Sequence, residues 1–318
     1  MQTMVTAVTG CLGFMGSHFT RACLSRGWHV WGIDKMTYAS NLRCLKEFQN
    51  NPLFKFTKED IRAMQHLSDV DIVVNFAAET HVDNSIMDSA NFVQTNICGV
   101  ENLLELIRSK RNYEMPLLIQ VSTDEVYGDI ENGLHTEQDR LQPSNPYSSS
   151  KAAADLLILG WHRTHHVPYI IIRPTNNYGL DQYPEKLIPK AVKYLTLGKP
   201  IPVHGDGSYR RTWLHAQDTA AGILTVIDRG ERNTIYNMAG NDELPNLEII
   251  KKIINYYFDG AQDQRWQEFV KQNFIRMGED VRYSLDDAKL RALGWNPQRD
   301  LNQEIRALVD YYKNHFIW

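Results

Sequence analysis

The sequence predicts an α/β protein, a doubly wound parallel sheet with a smaller C-terminal lobe, on three observations. Short apolar, β-branched runs alternate with helical stretches through the first half. A glycine-rich turn, Gly10-x-x-Gly13-x-x-Gly16, joins the first such run to the first helical stretch. After Pro174 the alternation stops, and prolines and glycines gather up to Gly207. Candidate strands are Met4–Thr9, His29–Ile33, Leu53–Thr57, Asp71–Phe76, Leu117–Ser122 and Tyr169–Arg173, each mostly apolar, as strands covered on both faces require. Helices are expected over Met15–Arg26, Phe92–Ser109 and Tyr147–Arg163, and over Asn246–Phe258, Asp286–Leu293 and Asn302–Phe316 in the second lobe. The expected division is 1–175 and 176–318, with segments around 205–230, Thr212–Leu214 among them, returning to the first lobe.

Bulk properties narrow the function classes. In 318 residues, 34 Lys and Arg stand against 38 Asp and Glu, and a net charge of −4 gives no reason to expect nucleic acid or an anionic membrane as a partner. Cys11, Cys23, Cys44 and Cys98 form no C-x-x-C pair, so a reducing, cytoplasmic compartment is expected, with no zinc site and no disulfide framework. The first nine residues lack a basic stretch, and no run of 18 apolar residues occurs, so neither a secretion signal nor a membrane span is expected.

The glycines let the backbone turn tightly and approach a pyrophosphate, whose charge a helix N-terminus favours. The pattern alone also fits a plain glycine turn. Ile33-Asp34 ends the second candidate strand where a carboxylate can bond the ribose hydroxyls of an adenosine, and the same carboxylate repels a 2′-phosphate. NAD is therefore expected over NADP, with Lys35 as the one neighbouring cation that could compensate. Asp60-Ile61 is placed to meet the adenine or to be a solvated loop. Phe76-Ala77-Ala78-Glu79-Thr80-His81 ends the fourth strand with small residues that allow a cofactor close to the backbone.

Two further groups carry chemistry. Tyr147 and Lys151 are four apart and share a helix face, where an ammonium favours phenolate and lowers the phenol pKa. Ser122-Thr123-Asp124-Glu125 ends the fifth strand with two adjacent carboxylates. Buried together, they would have pKa values pushed apart, giving one acid and one base. Hydride transfer needs no such pair, whereas elimination of water does.

These residues resemble a known family. Thr9-Gly-x-x-Gly-Phe-Met-Gly16, Asn75-Phe-Ala-Ala-Glu-Thr-His-Val-Asp83, Ser122-Thr-Asp-Glu-Val-Tyr-Gly128, Asn145-Pro-Tyr-Ser-Ser-Ser-Lys151 and Arg173-Pro-Thr-Asn-Asn-Tyr-Gly179 are similar to the extended short-chain dehydrogenase/reductases, and most to the dTDP-glucose 4,6-dehydratases. The match runs through Pro184–Pro189 and Pro202–Gly207 into the second lobe. The resemblance implies a Rossmann-type fold, a homodimer paired through Phe92–Ser109 and Tyr147–Arg163, and a nucleotide-activated hexose as substrate. It implies that Tyr147 deprotonates the C4 hydroxyl with Thr123 on that oxygen, that Lys151 holds the nicotinamide ribose, that Glu125 abstracts the C5 proton and that Asp124 protonates the departing C6 hydroxyl. Cofactor contacts follow by position at Gly10, Gly13, Phe14, Met15, Gly16, Asp34, Lys35, Thr37, Asp60, Ile61, Ala77, Ala78, Thr80, Asn96 and Asn177, besides Tyr147 and Lys151. Substrate contacts are implied at His81, Ser85, Thr123, Asn176, Lys186, Leu187, Pro202, His204, Arg211, Asn246 and Arg276.

Four positions depart from the family pattern: Cys11 for a Gly or Ala, His204 for a Tyr, Thr212 for an Asp and Glu279 for a His. The last three belong to the nucleotide lobe, so the nucleotide of the substrate stays open among dTDP, UDP and another. A 4-epimerase or decarboxylase of the same family, and a non-catalytic NAD-sensing protein, are the competing readings.

Overall fold

The computed structural model describes residues 4–110, 115–261 and 263–315. Its strands are β1 Val5–Thr9, β2 His29–Asp34, β3 Phe54–Lys58, β4 Ile72–Asn75, β5 Leu117–Val121, β6 Tyr169–Pro174, β7 Asn176–Tyr178, β8 Ile201–His204, β9 Arg210–His215, β10 Thr234–Met238, β11 Asp242–Pro245 and β12 Val270–Phe274. Seven of them form one sheet in the order β10-β6-β5-β4-β1-β2-β3, and every neighbouring pair is parallel. The chain reverses its direction of winding between β1 and β4, and a doubly wound sheet opens a ligand crevice at such a point. Thr9 Oγ1 donates to Asn75 Oδ1 at 2.5 Å and Asn75 Nδ2 to Gln120 Oε1 at 2.8 Å, a buried polar ladder that ties β1, β4 and β5 just behind the crevice.

Apolar residues cover both faces of the sheet. On one, Phe19 and Cys23 of the helix Phe14–Ser25 meet Ile223 and Val226 of the helix Ala216–Arg229. On the other, Leu103, Leu104 and Ile107 of the helix Gly99–Arg108 pack with Ala154 and Ile158 of the helix Pro146–His165. The second lobe has its own core, from the helices Leu187–Thr196, Asn246–Tyr257 and Leu301–His315. Small sheets β11-β9-β7 and β12-β8 lie beside it.

All six strands expected from the sequence occur within a residue or two of their expected bounds; the seventh, β10, was not foreseen. Of the later segments, the helix Ala216–Arg229 and β10 lie on the large sheet, whereas Thr212–Leu214 belongs to β9 of the three-stranded one. Two helices differ from expectation. The stretch Phe92–Ser109 is not one α-helix: Val93–Cys98 is a π-helical turn, followed by Gly99–Arg108. The side chain of Asn96 reaches from that turn to the backbone of Glu79, accepting its N–H at 2.9 Å and donating to its carbonyl at 3.0 Å. Asp286–Leu293 shortens to Ala288–Arg291, because the Asp286 carboxylate accepts the Ala288 N–H at 2.9 Å and left-handed Gly294 (φ +88°) stops the chain soon after. The expected end of the last helix at Phe316 lies outside the described residues.

Candidate active site

The glycine turn lies against the tip of β4. Gly10 has φ +67°, and a Cβ there would sit 2.7 Å from the Ala77 nitrogen; at Gly16 it would sit 2.1 Å from the Gly10 carbonyl oxygen. The helix Phe14–Ser25 carries no acidic residue in its first turn, leaving its positive end for an anion. Asp34, buried at the end of β2, accepts from the Leu12 and Met36 N–H groups at 3.0 and 2.7 Å and from Ser40 Oγ at 2.8 Å. Lys35 is ion-paired with Glu79 at 2.8 Å, which offsets the charge by which it could compensate a 2′-phosphate. Asp60 accepts from Arg62 at 2.7 Å at the same rim. Gly13, Phe14, Met15, Thr37, Ile61, Ala77, Ala78, Thr80 and Asn177 line this cleft with them. The free helix end, the close backbone approach and the 2′-phosphate-repelling carboxylate fit NAD.

Where the cleft passes the end of β5, Asp124–Val126 make a short 3-10 turn capped by Thr123, whose Oγ1 accepts the Glu125 N–H at 3.3 Å and donates to Asp124 Oδ1 at 3.1 Å. Asp124 Oδ2 is buried with no hydrogen-bond partner among the described residues. Burial first, and then the Glu125 charge, push the Asp124 carboxyl up to about 7. Burial also raises Glu125, against the pull of Arg211 and Lys186. The adjacent carboxylates are thus both poised toward protonation, the environment of an acid–base pair.

Tyr147 and Lys151 reach the same place from the helix Pro146–His165. A capping box of Asn145 and Ser148, with Pro146 in the first turn, fixes where that helix begins. The expected lowering of the Tyr147 pKa by Lys151 is not found. Burial, then the Glu125 and Asp124 charges, hold the phenol well above its usual value, with the Thr123 hydroxyl easing it. The Lys151 ammonium is committed to the Val121 carbonyl at 2.7 Å, and burial lowers it to about 8.

A second cleft continues from Thr80, Glu125, Asn176 and Lys186 into the C-terminal lobe and is lined by His81, Leu187, Pro202, His204, Arg211, Asn246 and Arg276. Lys186 Nζ donates to the Thr80 carbonyl at 2.8 Å, and Arg211 lies over the Tyr283 ring at 4.5 Å. Arg276 pairs with Asp83 at 2.6 Å. Glu279 lies 3.3 Å from Arg276, 3.6 Å from Arg211 and 2.6 Å from His204 Nδ1. Two of the positions that depart from the family pattern therefore touch each other.

Two expected contacts are not in either cleft. Ser85 is buried beneath the substrate end, where its Oγ accepts the Tyr147 N–H at 3.2 Å and donates to the Val82 carbonyl at 2.7 Å. Asn96 is buried against Glu79 and Ser150. Both shape the walls from behind. Conversely, Lys190, Trp213 and Tyr283 line the second cleft unforeseen. Lys190 was findable, standing four residues after Lys186 at the start of an amphipathic helix.

A dinucleotide cleft that opens on Thr123, Tyr147, Lys151 and two raised carboxylates, and then on an arginine-lined cleft suited to a diphosphate, is what an NAD-dependent nucleotide-sugar dehydratase needs. Residues 7–308 match the family described as GDP-mannose 4,6 dehydratase. The chain is 41% identical over 314 residues to the low-salt glycan biosynthesis protein Agl12 of Haloferax volcanii, covering 97% of this chain and 98% of that one. It is 40% identical over 338 residues to a dTDP-glucose 4,6-dehydratase of Haemophilus influenzae, covering 96% of each. The fold matches DesIV, a dTDP-glucose 4,6-dehydratase of Streptomyces venezuelae solved with NAD bound, at TM-score 0.91 and 37% identity over 98% of both chains. The protein belongs to the GDP-mannose 4,6 dehydratase family, within the extended short-chain dehydrogenase/reductases, and uses NAD.

Proposed function

We propose that the protein converts dTDP-glucose, or UDP-glucose in its place, to the 4-keto-6-deoxy sugar by oxidation at C4, elimination of water across C5–C6 and reduction at C6. The observation that carries this reading is Asp124, a buried carboxyl at about 7 with one oxygen unpaired, beside Glu125. Bound NAD⁺ supplies the hydride sink and, after elimination, the hydride donor. Tyr147 would take the C4 hydroxyl proton as phenolate, a form that the positive charge of bound NAD⁺ and of Lys151 would favour against the burial that raises the phenol in the empty cleft, while Thr123 hydrogen-bonds that oxygen and Lys151 would hold the nicotinamide ribose. Glu125 then removes the C5 proton, made acidic by the C4 ketone, as Asp124 protonates the C6 hydroxyl and water leaves, and Glu125 returns its proton to C5 when C6 is reduced. Asn176, Lys186, Arg211 and Arg276 suit the diphosphate, and His81 suits the sugar.

The assembly we propose is a homodimer, formed through the π-turn Val93–Cys98 with the helix Gly99–Arg108 that follows it and through the helix Pro146–His165, which expose Val93 and Leu156, and the compartment is the cytoplasm. Four cysteines without a disulfide fit that compartment. Among the described residues no helix is long and apolar enough to cross a membrane.

A 4-epimerase or decarboxylase would share the Tyr147–Lys151 pair but has no use for two adjacent carboxylates, and an NAD sensor without turnover has no use for either set. Incubation with a panel of nucleotide sugars, followed by mass analysis, tests the reading: a product lighter by one water supports it, and epimerised product at unchanged mass contradicts it.

A further inference from the structure

Asp155 is a buried carboxylate to which the proposed reaction gives no task. It follows Lys151 by four residues and Tyr147 by eight, so all three lie on the inner face of one helix. Its Oδ2 accepts from Ser122 Oγ at 3.0 Å and from Arg173 Nε at 3.0 Å. Its Oδ1 is buried with no hydrogen-bond partner among the described residues. Arg173, itself buried, donates through Nη1 to the Tyr127 hydroxyl at 2.7 Å, and that hydroxyl donates to Asn237 Oδ1 at 2.8 Å. A continuous polar chain thus runs from the residue after the Asp124–Val126 turn through Arg173 and Asp155 to the helix of Lys151. A buried ion pair returns little stability over an apolar pair, so stability alone does not account for it.

We infer, on the basis of the reaction proposed above, that Asp155, paired with Arg173 and one helical turn from Lys151, is the positioning counter-charge of Lys151 in the active site. Burial lowers Lys151, and Asp155 is the group that raises it. Burial raises Asp155 in turn, while Arg173 and Lys151 lower it. The charged and titratable groups packed around this line are Tyr147 on the same helix, Asp124, Glu125 and Tyr127 after β5, Arg173 on β6 and Glu137 beside Tyr127. Arg173 faces Asp155, and the two active-site carboxylates face Tyr147.

The test reads Lys151 directly, as the pH midpoint of its side-chain nitrogen by NMR in the full chain with NAD bound, the signal being assigned with Lys151→Arg. In Asp155→Asn the midpoint should fall by roughly one pH unit or more, and the alkaline limb of C4 oxidation should move to lower pH with it. Ser122→Ala removes a hydrogen bond and no charge, and should leave the midpoint in place. An unmoved midpoint in Asp155→Asn, or an equal fall in Ser122→Ala, overturns the inference. Should Asp155→Asn fail to fold around a stranded Arg173 charge, the double variant Asp155→Asn/Arg173→Gln removes both charges, and the same fall is expected or the inference fails. The midpoint needs no substrate, so a lack of turnover on every nucleotide sugar would refute the proposed reaction and still leave this result readable.

Discussion

Thr123 Oγ1 holds Asp124 by one carboxylate oxygen, at 3.1 Å, and leaves the other buried with no hydrogen-bond partner among the described residues. An acid fixed by one oxygen and free at the other can deliver its proton to a hydroxyl leaving from that side. Asp124→Asn should therefore slow water loss by about 10²–10⁴-fold while C4 oxidation continues. NADH absorbance should then build up with substrate in stopped-flow traces. Tyr147→Phe should suppress that absorbance. Equal loss of both signals in both variants would mean the roles are misassigned.

The same carboxyl makes stability depend on pH. Its folded pKa is raised from 3.8 to about 7, so its favourable contribution is complete below about pH 4 and is lost as pH rises through 7. At 1.36 kcal/mol per unit the penalty above pH 7 approaches about 4 kcal/mol as an upper bound. Asp124→Asn should accordingly melt several degrees above the parent at pH 8, with the advantage gone near pH 4. Parallel melting curves across that range would contradict the shift.

Ser85 should behave as a support for Tyr147 and not as a substrate contact. Removing its hydroxyl in Ser85→Ala frees the Tyr147 N–H at the start of the helix, a loss of about 1 kcal/mol in stability. Turnover should fall several-fold with little change in KM. A large rise in KM at unchanged kcat would restore the sugar contact that the resemblance implied.

What the sequence disclosed and what it hid divide along chain separation. The Gly10–Gly16 turn, Asp34 and the Tyr147–Lys151 pair were legible because each is a local pattern with a local physical reason. β10 was not, since Thr234–Met238 is a short run that becomes a strand only by pairing with β6, as Thr234 does with Ile170. Asp83 and Arg276 meet across 193 residues, beyond any periodicity. The π-turn at Val93–Cys98 escaped because its apolar spacing reads as ordinary helix. The Tyr147 phenol departs from expectation because burial and two carboxylates raise it while the Lys151 ammonium is turned to the Val121 carbonyl, and burial is a property of the folded chain.

Glu279 partly neutralises the two arginines of the second cleft, lying 3.3 Å from one and 3.6 Å from the other. Glu279→Gln should strengthen binding of dTDP and UDP by roughly tenfold, about 1.4 kcal/mol, measured by calorimetry with the NAD-loaded protein. Weakened binding would instead make the carboxylate itself a ligand of the nucleotide.

The most direct test of the central claim is the mass of the product formed by the purified, NAD-loaded protein from dTDP-glucose and from UDP-glucose. Thr123, Asp124 and Glu125 beside Tyr147 predict a product lighter by one water from at least one of the two. Interconversion of glucose and galactose with no water lost would contradict the account.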